Sequence, residues 1–241
     1  MANSQRKKRL PIPVAIVAVV LLFVFQYFGF DVSTLLSDGK PNSTQSTYVY
    51  EVAPTSPFEV INNNVPNFTK EEITSHSFES YAPLDALGRC GTAFASVGRD
   101  IMPTQKRGSI SEVKPTGWHS VRYENVDGES LYNRCHLLGF QLTGENANHK
   151  NLVTGTRYLN VEGMLPFENL VADFVKETNM HVMYRVTPLF QGNDLVPYGV
   201  TMEGLSVEDG GEGVQFHVLC YNVQPDIGID YATGKSWKLN K

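Results

Sequence analysis

The chain has 241 residues, 41% of them hydrophobic and 19% charged, and its 20 basic and 25 acidic residues give a net charge of −5. It contains no CxxC pair, no HExxH motif and no glycine-rich phosphate loop, so zinc-hydrolase, redox and nucleoside-triphosphate chemistry have no support.

The N-terminus combines a basic tail with an apolar stretch. Residues 1–9 include four consecutive cations from Arg6 to Arg9, and residues 10–30 carry no charge. As a helix, a stretch of this length would rise about 31 Å, close to the roughly 30 Å hydrocarbon core of a bilayer. The basic flank favours a cytoplasmic N-terminus, so we expect a single-pass transmembrane helix in the cell membrane with an extracellular C-terminal domain. The alternative is a cleaved signal peptide and a secreted domain.

The rest of the chain divides into a linker and one domain. Residues 31–57 are rich in Ser, Thr, Asn and Pro, which is typical of a flexible stalk. Residues 58–241 are enough for one buried core and too few to make two domains the expectation. We predict a single α+β domain.

Turn signals and apolar spacing predict the elements of this domain. We expect residues 119–124 and 131–140 to form a hairpin around the turn at Asp127-Gly128. Pro166 can start a helix that runs to about Thr178, since apolar residues recur at helical spacing. Three apolar segments separated by glycine-containing turns then predict an antiparallel meander, with glycines 210, 211 and 213 at the last hairpin: 182–190, 200–207 and 214–223.

The most informative segment runs from Tyr132 to Gly139. It contains Arg134 and His136, and Asn151, Asn160 and Glu168 follow in that order. In a strand, residues two apart share a face, so Arg134 and His136 would point into one site while Cys135 points away.

These residue types suit metal-assisted phosphodiester cleavage. An oriented neutral imidazole can accept a proton from water near neutral pH, which makes His136 a candidate general base. Asn160 and Glu168 offer only oxygen donors, which favour Mg²⁺ over zinc. Each residue alone also has an ordinary structural interpretation: His136 at a strand end, Asn160 in a turn, Glu168 in the first turn of a helix, and Arg134 as a solvated charge.

The order and spacing resemble the DNA/RNA non-specific endonucleases of the ββα-metal (His-Me finger) group, particularly the membrane-associated DNA-entry type. That family has an Asp-Arg-Gly-His motif, then Asn-Ile or Asn-Leu, then a metal-ligand Asn, then a Glu. The resemblance implies a ββα-metal core with a central antiparallel sheet. It assigns His136 as general base, Asn160 as the Mg²⁺ ligand and Glu168 as an outer-shell group that holds water around the metal. It also makes Arg134 a phosphate contact and gives Asn151 a positioning role, with Mn²⁺ as a substitute metal.

The motif departs from the family at two positions, where Asn133 and Cys135 replace Asp and Gly. Asn133 keeps an oxygen acceptor, so a structural hydrogen bond can survive. Cys135 needs an ordinary strand conformation or extra room on the opposite face. Neither change removes the base, the metal ligand or the phosphate contact, so we expect activity to be retained.

Charge weighs against the nuclease interpretation. Without the four cations of the tail, 16 basic residues remain against 25 acidic ones, a net charge of −9 that repels polyphosphate. Local cations must therefore line the cleft, and the candidates are Arg134, Lys150, Arg157 and Arg185, with Lys106, Arg107, Lys114 and Arg122 upstream. The expected result is weak, salt-sensitive substrate binding without sequence preference.

Three cysteines, Cys90, Cys135 and Cys220, permit at most one intramolecular disulfide. The sequence does not select a pair, and three free buried thiols are equally compatible with it.

Two hypotheses remain. The first is a membrane-anchored, Mg²⁺-dependent endonuclease that hydrolyses DNA at the cell surface, with RNA as a further candidate substrate that the sequence does not decide. The second is a catalytically inactive nucleic-acid-binding receptor. A binder has no need for a base beside a metal ligand, so His136, Asn160 and Glu168 together favour the nuclease.

Overall fold

The computed structural model describes residues 56–239. The predicted tail at 1–9, the anchor at 10–30 and all but the last two residues of the stalk at 31–57 lie outside the described residues. No helix within 56–239 has the length and apolar content that a bilayer crossing needs.

The described chain forms ten strands and two α-helices. The helices are α1, Phe140–Thr143, and α2, Leu165–Thr178, and a π-helical segment, Leu159–Met164, leads into α2. The strands in chain order are β1 Phe58–Val60, β2 Phe78–Tyr81, β3 Ala93–Val97, β4 Tyr132–His136, β5 Leu152–Thr156, β6 Val182–Leu189, β7 Gly199–Ser206, β8 Gln215–Tyr221, β9 Ile227–Asp230 and β10 Lys235–Lys238.

Six strands make one antiparallel sheet in the order β1-β8-β7-β6-β3-β2. Its centre is the predicted meander, confirmed as β6, β7 and β8. The turn between β7 and β8 contains Gly210 and Gly211 at φ of +68° and +93°, a left-handed conformation that favours glycine. The α+β class and the antiparallel sheet are therefore confirmed.

Successive side chains of each strand point to opposite faces of this sheet. On β6, Val182, Tyr184 and Val186 belong to the main core, whereas Arg185 points to the opposite face. There its guanidinium donates to Glu203 at 2.7 Å and to Glu72 at 3.1 Å, so it ties the segment between β1 and β2 to the sheet.

Helix α2 lies on the core face of the sheet. Its buried residues Val171, Ala172 and Val175 recur at helical spacing and join the main core. Pro166 sits in the first turn, where it costs no hydrogen bond, and Asn179 ends the helix in a left-handed conformation at φ +61°. The predicted helix is confirmed.

The predicted partner of the motif strand was wrong. β4 pairs in antiparallel register with β5, so that Asn133 faces Gly155 and His136 faces Leu152. The turn at Asp127-Gly128 does form, but residues 119–124 contribute only one isolated bridge, from Arg122 to Ser130. β5 is buried along its whole length, and pairing with β4 satisfies the backbone groups along one of its edges.

The predicted strand at 131–140 was also too long. β4 stops at His136, and α1 starts at Phe140. All three cysteines are buried and free.

Asn222 joins the β4–β5 hairpin to the end of the large sheet. Its side chain is fully buried, its Oδ1 accepts from the Thr156 amide at 2.8 Å, and its Nδ2 donates to the carbonyls of Thr154 and Pro197 at 3.0 and 2.7 Å. One amide therefore satisfies three buried backbone groups.

We expect Asn222→Ala to lower the free energy of unfolding by about 3 kcal/mol, because it leaves those three groups unpaired. Urea denaturation measures the loss, and Asn125→Ala, at an exposed asparagine, is the control that should change it little. A loss as small as that of the control would contradict this role for Asn222.

Candidate active site

A cavity of about 420 Å³ opens between β4, the π-helical segment, the start of α2 and the loop that precedes the motif. It brings together five residues predicted from the sequence as members of a site: Arg134, His136, Arg157, Asn160 and Glu168. Arg107, one of the upstream cations expected near the cleft, lines it too, and the structure adds others, among them Trp118 and Gly139.

Strand alternation points the motif into this cavity. Arg134 and His136 both line it, as the spacing predicts, and Cys135 is fully buried on the other side of β4. The room for Cys135 comes from Gly155 on β5, where an added Cβ would lie only 2.4 Å from the thiol sulfur. The cysteine that replaces the family's glycine is thus accommodated by a glycine on the neighbouring strand.

His136 is held in a defined orientation and protonation state. Its ring is 6% exposed, and Nε2 lies 2.7 Å from the carbonyl oxygen of Asn146, which can only accept a hydrogen bond. The hydrogen therefore belongs on Nε2, and the lone pair of Nδ1 accepts from Nη2 of Arg107 at 3.2 Å. Burial is the largest cause that lowers the pKa of His136 to about 4; the Arg107 charge acts in the same direction, and the bond to Asn146 opposes both. The ring is neutral and able to accept a proton.

Asn160 and Glu168 supply oxygen atoms to the same cavity. Asn160 lies in the π-helical segment, a type of helical distortion that is frequent at functional sites, and its side chain has no hydrogen-bond partner among the described residues. Glu168 occupies the first turn of α2, close to Gly139, where an added Cβ would lie 2.7 Å from Oε2. This glycine leaves space around the carboxylate.

Burial also shapes the charge of Glu168. It raises the pKa of Glu168 to about 7, while the Arg107 charge and a hydrogen bond from Gln141 oppose the shift. A cation at the carboxylate would favour the ionised form. One amide oxygen and one carboxylate fit Mg²⁺, which keeps several water ligands and takes few from the protein.

Arg134 faces the cavity but is largely engaged with the loop above it. Its Nε donates to the carbonyl of Val113, its Nη2 donates to that of Ser111 at 2.9 Å, and the guanidinium stacks 4.0 Å from the Trp118 ring. Nη1 remains without a partner among the described residues. Arg134 therefore braces the loop and keeps one donor for a ligand.

Asn133 also borders the cavity, although strand alternation turns its side chain to the side of β4 that carries Cys135. Its Nδ2 is buried and has no hydrogen-bond partner among the described residues. The structural hydrogen bond expected at its Oδ1 stays a prediction, because the unpaired atom is Nδ2.

The other predicted residues have different surroundings. Arg157 lines the cavity and pairs with Asp127 at 2.8 Å, whereas Lys150 and Arg185 do not line it. Asn151 is fully buried and binds both backbone groups of Leu138, accepting at 2.8 Å and donating at 3.0 Å. It therefore fixes the chain two residues after His136.

The contact of Arg107 with His136 was not predicted from the sequence. Arg107 was only one of several upstream cations, and it lies in a loop without periodic spacing that could fix its direction. Trp118 and Gly139 carried no signal either, because their roles depend on the guanidinium and the carboxylate that they meet in space.

We expect Gly155→Ala to destabilise the protein by about 2 kcal/mol, because the new methyl group collides with the Cys135 sulfur. Adding Cys135→Ala should restore part of that loss, because the sulfur is then absent. Thermal or urea denaturation of the two single variants and the double variant measures the coupling. If the changes in unfolding free energy of the two single variants simply add in the double variant, the Cys135 sulfur and Gly155 do not pack against each other.

Comparisons with known proteins agree with this geometry. Residues 67–207 match the DNA/RNA non-specific endonuclease family. The structure of NucA from Streptococcus agalactiae with magnesium bound is 29% identical, with a TM-score of 0.68 over 77% of this chain and 91% of that one. The same protein without metal is also 29% identical, with a TM-score of 0.67 over 82% of this chain and 93% of that one.

Sda1 nuclease with bound zinc is 27% identical, with a TM-score of 0.55 over 68% of this chain and 81% of that one. The family match spans more than half of the chain and includes β4, β5, the π-helical segment and α2. The chain therefore belongs to the DNA/RNA non-specific endonuclease family, and it is an enzyme that hydrolyses nucleic acids.

Proposed function

We propose that this protein is a Mg²⁺-dependent endonuclease that cuts DNA, and also RNA, without sequence preference, with His136 as the general base. The observation that carries the proposal is the oriented neutral imidazole of His136 in one cavity with Asn160 and Glu168. NucA of Streptococcus agalactiae, described with a bound magnesium ion, supports the choice of metal.

The chemical step needs a base whose lone pair faces the scissile phosphate. Nδ1 of His136 accepts a proton from the attacking water, and the water oxygen forms a bond to phosphorus as the bond to the leaving sugar oxygen breaks. The leaving oxygen then takes a proton from solvent. The Asn146 carbonyl stabilises the imidazolium that forms, because Nε2–H already donates to it.

Arg107 links substrate binding to activation of this base. In the structure it donates to Nδ1, which occupies the lone pair and depresses the basicity of the ring. A substrate phosphate offers the guanidinium a stronger, charged acceptor. Transfer of Arg107 to the phosphate frees Nδ1, raises the pKa of His136 and places a positive charge where negative charge develops.

Asn160 and Glu168 would hold the metal, the amide oxygen as a direct ligand and the carboxylate through water. When bound, Mg²⁺ supplies Lewis-acid stabilisation of the charge that builds on the phosphate. Gly139 leaves the room for the Glu168 carboxylate that this arrangement needs.

Local charge offsets the acidic remainder of the chain. Arg107, Arg134 and Arg157 line the cavity, where they would contact backbone phosphates and not base edges. Phosphate contacts carry no sequence information and weaken steeply with salt. We therefore propose that cleavage is non-specific and inhibited by salt.

The proposed location is the cell surface. The basic tail at 1–9 and the uncharged stretch at 10–30 support a membrane anchor with the nuclease domain outside, and cleavage after that stretch would release the domain instead.

We expect His136→Ala to lower kcat on plasmid DNA and on RNA by about a thousandfold, because the general base is lost, while DNA binding persists. Cleavage in Mg²⁺ and in EDTA and a gel-shift assay measure the two effects, and His76→Ala, at an exposed histidine, is the matched control. Unchanged cleavage by the variant would refute the assignment. A folded wild type that binds DNA but cuts nothing with any divalent ion would favour the receptor hypothesis.

We expect Asn160→Ala to raise the Mg²⁺ concentration for half-maximal activity by about tenfold or more, because a ligand oxygen is lost. Asn160→Asp keeps an oxygen and should shift the Mg²⁺ titration much less. Superimposable titrations of wild type and Asn160→Ala would remove Asn160 from the metal site.

A further inference from the structure

A second cavity, of about 460 Å³, lies beside the first and contains none of the residues predicted as catalytic or metal-binding. One wall is the segment from Ile101 to Gly108, and the other is α1 together with Gly144 and Asn146. Nothing in the proposed chemistry uses it.

Two residues connect this second cavity to the catalytic one. Phe140 lines both cavities, so the two are adjacent at this residue. Asn146 lines the second cavity while its carbonyl holds Nε2 of His136. The connecting loop adds charge, because Arg107 lines the first cavity and its neighbour Lys106 lines the second. A chain that places a phosphate at His136 would therefore bring its next unit to the second cavity.

The second cavity is lined by both apolar and polar residues. Ile101, Met102, Pro103 and Phe140 supply apolar contact, and Phe140 offers an aromatic face. Oδ1 of Asn146 is covered and has no hydrogen-bond partner among the described residues, and a turn of the amide would bring it to the surface of the cavity. An unpaired acceptor of this kind favours a ligand with an N–H donor. The lining contains a lysine and no carboxylate, which suits an anionic ligand and not a metal ion.

We propose that the second cavity binds the nucleobase of the nucleotide next to the scissile phosphate. The base stacks on Phe140 and Met102, its edge donates to Oδ1 of Asn146, and Lys106 contacts the adjoining phosphate. Stacking is tolerant of sequence because every base has a π-face, so the subsite is compatible with non-specific cleavage. A base that enters it must leave its own stack, which favours single strands over intact duplex.

This inference rests on the proposed nuclease activity and has its own test. The substrate is a single-stranded oligonucleotide with one cleavable phosphodiester among nuclease-resistant phosphorothioates. Two matched substrates carry an abasic sugar on the 5′ or the 3′ side of that linkage. For the wild type, the loss of the base on one of the two sides should lower kcat/KM by about tenfold, the range of a lost base–aromatic stack.

Thr104→Trp is the complementary change in the protein. Thr104 lines the second cavity and is exposed, so the new ring fills the cavity without disturbing the core. The variant should cut the intact substrate about tenfold less efficiently than the wild type and should no longer distinguish it from the abasic substrate. Gln105→Trp repeats the test from a neighbouring exposed position. The control is Lys70→Trp, at an exposed residue between β1 and β2 that does not line the cavity, and it should behave as wild type.

Persistence of the abasic penalty in both cavity-filling variants, or no penalty on either side in the wild type, would overturn the subsite while leaving the nuclease assignment intact. If the wild type cleaves neither these substrates nor plasmid DNA with any divalent ion, the proposed function is overturned, and the subsite with it.

Discussion

The pairing of β4 with β5 is the constraint on which the cavity depends. Its register sets the alternation that sends Arg134 and His136 inward and Cys135 outward, and it brings Gly155 to the place where the thiol needs space. A shift of one residue would reverse every side chain of β4, so His136 and Arg134 would enter the core. The hydrogen bonds of Asn222 and Asn151 hold both ends of this pairing in place.

Much of the fold follows from local pattern. The meander of β6 to β8 and helix α2 were predictable because apolar spacing, glycine turns and Pro166 all indicate the same elements. The shared face of Arg134 and His136 was predictable for a similar reason, since a strand fixes it without any knowledge of the partner strand. The partner itself was predicted wrongly. A turn at Asp127-Gly128 is a local signal, whereas the burial of β5 depends on the whole fold.

The parts of the site that could not be predicted are those that depend on side chains meeting across space. Arg107 reaches His136 from a loop without regular structure, and only the folded chain shows that it occupies the lone pair of Nδ1. The same holds for Gly139, whose missing side chain matters because the Glu168 carboxylate lies against it. Asn160 was expected from its order in the chain, but the π-helical turn that presents it was not.

The anchoring of β5 by Asn222 has a consequence for the order of assembly. The residues that line the catalytic cavity lie between 107 and 168, yet the side chain that holds β5 comes from residue 222, and the core beneath is built by β6, β7 and β8. During synthesis the motif emerges from the ribosome well before these later residues. A nascent chain therefore cannot complete its catalytic centre until nearly all of the domain has been made.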